Sequence, residues 1–409
     1  MKKRKLLIPI LAGLIIGQIF AEGNRPFSII NTLRFGYNDN PDREEDGGSG
    51  SAYVEDIIDF AFNASLSDRT DLVVKSRLRF KTDTENTIHP YLYAVLSHSV
   101  SPRLMFRFSE YYRSGEKTTG RVDGRHDYFI NKLGVTATYV LTEKDRLELG
   151  VNHTLRQHEE EIEDDDYTTV GASVSWARDI RPQRTRSKLS LAVRQTEYDK
   201  RRLVDSLAGV YTNTYNSRTS GHDAVDLTLE VNHTFNPSWQ GTIEGGFTYV
   251  QPNRRDYLHE TPATTNFVRV SDSARLSPIF KLGATYSPSP RTRFTGNYSH
   301  TYSESDDSYY VGQTKDELRF GVQHDLTAKI LAKATARFLF TQYDEADNET
   351  SRSGDRSNEE RMDLELRFTY KVNRLNFLEM GLRHSEKSYD DGDGDWAQNM
   401  FDVGWRVEL

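Results

Sequence analysis

The sequence predicts an all-β fold: a single transmembrane, antiparallel, up-and-down β-barrel of about eighteen strands, with short periplasmic turns and longer extracellular loops. Three observations carry this expectation. From about residue 27 to Leu409 the chain alternates apolar and polar residues in runs of about ten, separated by polar breaks. The breaks alternate between short and long. The chain also combines many aromatics, 22 Tyr and 20 Phe, with a mean hydropathy of −0.70.

The alternation is plainest in the last run. Phe401, Val403, Trp405, Val407 and Leu409 fall on one face, and Asp402, Gly404, Arg406 and Glu408 on the other. Side chains of a strand alternate faces, so such a segment is greasy on one side and charged on the other. The same pattern predicts lipid-facing rows at Ile58, Phe60, Phe62, Ala64 and Leu66, and again at Leu133, Val135, Ala137, Tyr139 and Leu141. No run of eighteen apolar residues follows the N-terminal segment, which excludes a helical membrane protein. In hydrocarbon every backbone group must be paired, so strands that meet lipid must close on themselves.

The connections predict the topology. Short ones fall at Ser67–Asp71, Val100–Arg103, Thr142–Asp145, Asp179–Thr185, Asn236–Ser238, Ser287–Arg291, Thr327–Lys329 and Val372–Arg374. They are rich in Pro, Asn, Ser and Thr, which fix or cap tight turns. Longer polar stretches lie at 39–52, 83–88, 113–126, 157–166, 198–223, 250–274, 303–314, 343–361 and 385–397. An even strand count puts both termini and all the short turns on one side. The long loops 198–223 and 250–274 are long enough to fold inward and constrict a lumen.

The N-terminus begins Met1-Lys2-Lys3-Arg4-Lys5, continues apolar from Leu6 to Phe20, and ends Ala21-Glu22. A basic region, a short apolar region and a small residue before a polar one predict a signal peptide over 1–21, cleaved to leave a barrel over 22–409. The chain has no cysteine, in keeping with passage through an oxidising compartment. The expected location is the outer membrane of a Gram-negative-type bacterium, with outer-membrane lipids and lipopolysaccharide as surroundings. The formal net charge of −8 argues against nucleic acid as a partner, and loss of the four leader cations deepens the acidity. Few residues separate the leader from the first strand and none follow the last. The expectation is therefore no plug domain and no periplasmic domain.

The polar rows predict a charged lumen. Arg34, Lys75, Arg77, Arg79, Lys81, Arg103 and Arg107 form a basic wall, with Asp226, Glu230 and Glu244 on an acidic one. Two readings stay open: these charges pair across neighbouring strands in a wet interior, or they set a transverse field favouring anionic solutes. His98, His153, His233, His300, His324 and His384 share the lipid-facing parity near strand ends and read as interfacial rings. Asp391, Asp393 and Asp395, spaced by glycine, form a weak Ca²⁺ candidate without the bidentate glutamate of an EF-hand. No Gly-x-Ser-x-Gly, Walker or His-Glu-x-x-His motif occurs, so no enzyme activity and no cofactor are expected.

The closing run Phe401-x-Val403-x-Trp405-x-Val407-x-Leu409 resembles the strand that the outer-membrane assembly machinery recognises, although Leu409 replaces the usual aromatic end. Over 25–409 the chain resembles the Putative β-barrel porin family associated with exopolysaccharide gene clusters. The resemblance rests on Leu33-x-Phe35-Gly36-Tyr37-Asn38-Asp39-Asn40 and Leu66-Ser67-Asp68-Arg69-Thr70-Asp71. It implies an outer-membrane conduit, with polysaccharide-export components as periplasmic partners. Three functional readings follow: a porin-like channel for hydrophilic solutes, anionic ones included; a conduit for exopolysaccharide; or a non-conducting structural or adhesive barrel.

Overall fold

A computed structural model describes residues 26–409, apart from 45–46, 83–85, 119–124, 159–165, 199–201, 208–210, 218–219, 253–254, 261–264, 271–273, 305–309, 346–357 and 391–394. The predicted signal peptide lies outside the described residues, and so do Asp391 and Asp393.

Eighteen strands close into one antiparallel sheet. In chain order they begin with β1 (Phe27–Asn38), β2 (Ser51–Ser67), β3 (Thr70–Thr82), β4 (Asn86–Ser101), β5 (Leu104–Thr118), β6 (Arg125–Val140), β7 (Asp145–His158), β8 (Tyr167–Arg181) and β9 (Thr185–Tyr198). Next come β10 (Arg202–Leu207) and β11 (Tyr211–Ser217), then β12 (Ser220–Asn236) and β13 (Trp239–Pro252), then β14 (Arg255–Glu260) and β15 (Thr265–Val270). The barrel resumes with β16 (Arg275–Ser289), β17 (Thr292–Glu304), β18 (Tyr310–Asp325), β19 (Ile330–Glu345), β20 (Asn358–Lys371), β21 (Asn376–Tyr389) and β22 (Trp396–Glu408). Each barrel strand pairs with the next, and β22 returns to β1. Backbone bonds between Ile29 and Leu409 extend that seam to the last residue.

The four remaining strands form a separate antiparallel sheet in the order β10-β11-β14-β15. They belong to the loops 198–223 and 250–274. Each loop makes one hairpin, and the hairpins join through the β11–β14 pairing. The sequence reading treats both stretches as plain loops. Segments of six or seven residues are too short for their alternation to stand out.

All eight short connections become tight turns, and a small polar residue caps most of them. Asn236 Oδ1 accepts from Ser238 N at 2.9 Å, and Thr142 Oγ1 from Asp145 N at 3.0 Å. Thr327 Oγ1 accepts from Ile330 N at 3.0 Å. Asn373 Oδ1 serves three donors: Leu375 N at 2.9 Å, Asn376 N at 3.0 Å and Asn376 Nδ2 at 2.9 Å. Replacing Asn373 with Ala should therefore cost about 1 kcal/mol of unfolding free energy. Urea titration of the refolded barrel would register this as a lower midpoint at unchanged slope.

On the opposite side one expected loop is absent. β3 ends at Thr82 and β4 starts at Asn86, so the stretch 83–88 holds only a three-residue connection. Elsewhere the strands run past the expected ten residues, up to 17, because polar residues continue the ladder beyond the lipid zone.

Side-chain parity divides the wall into two surfaces. Phe35, Ile88, Phe108, Val151, Ile243, Phe247, Phe320, Phe401 and Trp405 are large, apolar and exposed, as residues facing lipid must be when no lipid is present. Near the short turns this outer row ends in matching Thr–His pairs: Thr70 with His98 at 2.9 Å, Thr185 with His233 at 2.7 Å, and Thr292 with His324 at 2.8 Å. An imidazole there presents an apolar body to lipid and a bonded nitrogen to the interface.

Candidate functional site

The inner wall is built from the residues of opposite parity, and its chemistry changes around the circumference. One arc spans the seam, from β18 through β22 to β1, β2 and β3. Arg34 on β1 lies directly across from Glu55 on β2 and Gly404 on β22. Its guanidinium reaches Glu55 at 3.1 Å, Glu379 at 3.2 Å and Asp402 at 3.8 Å. Arg367 repeats the arrangement with Asp402 at 3.0 Å, Glu365 at 3.1 Å and Glu379 at 3.6 Å. Arg337 joins Glu317 at 3.0 Å to Asp363 at 3.4 Å, and Arg406 meets Glu379 at 3.4 Å.

Glycines make this lattice possible. A Cβ at Gly381 would collide with the Asp402 carboxylate and lie 2.7 Å from an Arg367 nitrogen. One at Gly404 would lie 2.9 Å from Arg34 Cγ, and one at Gly36 would strike the Tyr53 ring. Three bare inward positions on adjacent strands let long side chains lie flat along the wall. Glu55, Glu379 and Asp402 are consequently buried, at 4%, 5% and 7% exposure. Buried carboxylates need such partners, since an unpaired one carries its full desolvation cost.

A second arc, from β3 to β8, has cations of another kind. Arg77 still holds Asp59, at 2.7 Å. Lys75, Arg113, Lys132 and Arg156 have no carboxylate within ion-pair distance among the described residues. They stand among inward tyrosines. Tyr91 and Tyr111 pack edge to face with centroids 5.5 Å apart, and the Lys132 ammonium lies 6.0 Å from the Tyr111 ring. Arg156 sits 4.8 Å from the Tyr128 ring.

Elsewhere the inner wall is mostly small and polar, and several of its charges are paired. Asp226 receives Arg194 at 2.8 Å, Glu244 receives Lys281 at 2.9 Å, and Glu148 receives Lys188 at 2.6 Å. Glu230 is bonded by Asn232, which in turn accepts from Thr242 at 2.5 Å.

The predicted wall residues can now be placed. Arg34, Arg77 and Arg79 are inward but bound to Asp59, Glu55 and the seam carboxylates, so this side is no bare basic face. Lys81 lies over the Tyr53 ring at 5.2 Å. Lys75 and Arg107 are inward and exposed, and Arg103 is exposed in the β4–β5 turn. Asp226 and Glu244 carry their own cations. The two walls are thus not simple opposites, because each supplies counter-charges from adjacent strands. Phe401, Val403 and Trp405 face outward as predicted, and Trp405 Nε1 donates to Asn376 Oδ1 at 3.1 Å. Asp395 accepts from Tyr389 N at 2.7 Å, an ordinary turn contact.

The tyrosines were overlooked by the sequence reading, which assigns aromatics to the interfaces. Parity alone places Tyr91 and Tyr93 in the row opposite Leu92 and Ala94.

Residues 278–409 match the family Putative beta-barrel porin 2. The chain has the fold of an outer-membrane β-barrel, and its C-terminal third is similar to this porin family. The barrel also resembles solved structures. The ferric citrate transporter FecA in its unliganded form superposes with a TM-score of 0.50 at 9% identity, covering 95% of this chain and 79% of that one. The ferric yersiniabactin uptake receptor FyuA from Yersinia pestis gives 0.51 at 8% identity, covering 94% and 81%. At such identities the likeness concerns the fold of the barrel alone. Comparison with curated protein sequences finds no match.

Proposed function

We propose that this barrel is a passive outer-membrane channel for hydrophilic solutes, with a preference for anions. The observation that carries the reading is the β3–β8 arc, where Lys75, Arg113, Lys132 and Arg156 have no carboxylate within ion-pair distance among the described residues, whereas the seam arginines Arg34, Arg337, Arg367 and Arg406 are each ion-paired. Barrels of sixteen to eighteen strands are wide enough for an aqueous lumen. Cations that are not neutralised along such a wall raise the local concentration of anions.

The barrel is expected to be threaded into lipid and lipopolysaccharide by the assembly machinery, which would read Phe401, Val403, Trp405, Val407 and Leu409. Purified protein reconstituted into planar bilayers should produce discrete, voltage-independent conductance steps. Absence of steps above background would leave the non-conducting structural barrel as the better reading.

A further inference from the structure

The tyrosines of the β3–β8 arc form a track whose geometry names a ligand. Register places Lys75, Tyr93, Tyr111 and Lys132 directly across from one another on four consecutive strands. One step along the strands, Arg77, Tyr91 and Arg113 make a second row, which continues through Ile130 to Arg156 and Tyr167. Cations therefore flank a pair of rings in the first row and a single ring in the second. Rows of opposed residues run perpendicular to the strands, and barrel strands tilt by roughly 35–45° from the axis. The rows accordingly climb the inner wall instead of circling it. With strands about 4.8 Å apart, the track from β3 to β8 is about 24 Å long.

Tyr91, Tyr93 and Tyr111 occupy adjacent inward positions, each half-buried, with ring surface left open to the lumen. Such rings become useful when a flat apolar surface slides across them. The C–H faces of pyranose rings are surfaces of this kind, and the flanking ammonium and guanidinium groups suit carboxylates borne at intervals along a chain. Among the described residues the carboxylate that meets these rows is Asp59 on β2, which Arg77 already holds.

We infer that the Tyr91–Tyr93–Tyr111 track, with Lys75, Arg113 and Lys132, is a binding site for an acidic polysaccharide of uronate type. The inference rests on the channel reading for its access route and gives that channel a substrate class. Each saccharide stacks on a ring while its carboxylate contacts the neighbouring cation. The climb of the rows passes the polymer along the wall.

The test separates binding from conduction. Oligogalacturonate is titrated into the detergent-solubilised barrel by calorimetry, and separately added to bilayers carrying the open channel. Maltohexaose supplies pyranose faces without charge, and polyglutamate supplies charge without pyranose faces. Oligogalacturonate should bind and interrupt the current, with both controls at least tenfold weaker. The double variant Tyr93→Ala/Tyr111→Ala should lose tenfold or more in affinity while keeping unitary conductance near wild type, which also confirms its folding. Polyglutamate or maltohexaose binding as tightly as oligogalacturonate would overturn the inference, and so would undiminished binding to the tyrosine variant. A barrel that binds in calorimetry but shows no conductance would instead overturn the channel reading and leave the binding site standing.

Discussion

Replacing Arg34 with Ala should destabilise the barrel far more than removal of a singly paired, exposed charge such as Arg383. Arg34 is the shared partner of Glu55, Glu379 and Asp402, which together are nearly inaccessible to solvent. Removing one member of a buried ionic cluster costs roughly 3–5 kcal/mol, because the remaining charges lose their compensation. Arg34 itself keeps 21% of its side-chain surface exposed, so lumen water can soften the loss, and about 3 kcal/mol is expected. The measurement is the temperature at which the fast-migrating folded band on a gel converts to the slow unfolded one. Arg34→Lys, which keeps the charge but not the fork that reaches three carboxylates, should fall between wild type and Arg34→Ala. Arg383→Gln is the control. Arg383 is half-exposed and, among the described residues, forms its ion pair with Glu365, at 3.2 Å, so its loss should be close to neutral.

The second large effect concerns ion preference. Lys75, Arg113 and Lys132 are inward cations whose charge no described carboxylate offsets. Each one, about 6 Å from a passing ion in water, contributes roughly 0.7 kcal/mol before screening. Physiological salt reduces that, so Lys75→Gln/Arg113→Gln/Lys132→Gln should lower the anion-to-cation permeability ratio by about two- to threefold. Neutralising Arg337 with Gln should act differently. Its charge is shared between Glu317 and Asp363, which keep Arg319 and Arg361 as partners, so its loss leaves the seam arc one positive charge poorer without baring either carboxylate. Equal shifts from the two arcs would mean that pairing does not control what an ion experiences.

Much of this arrangement is legible in the sequence, and the limit has a physical origin. A period of two survives in every barrel strand, so the outward rows of Leu133, Val135 and Ala137 or of Phe401, Val403 and Trp405 follow from counting. The turns are equally legible, because Asn236, Thr142 and Asn373 cap the backbone within two or three residues of themselves. Pairing is not local. Arg34 bonds Glu379 across 345 residues of chain, and that contact exists only because the last strand returns to the first. Counting faces shows Arg34 as a member of a basic row, whereas register makes it the centre of an acidic pocket. The same limit hid the grouping of rings with cations, since Tyr93, Tyr111 and Lys132 become neighbours only when β4, β5 and β6 are aligned. The hairpins β10–β11 and β14–β15 escaped notice for a different reason. Their strands are of six or seven residues, and their mutual pairing joins two separate loops.

The cations of the β3–β8 arc that no described carboxylate offsets are the basis of the proposed activity, and the reversal potential of the wild-type channel tests them most directly. Under a tenfold KCl gradient across a planar bilayer, the potential should take the sign of a chloride-preferring pore. A potential of the opposite sign, that of a potassium-preferring pore, would contradict the reading of the inner wall.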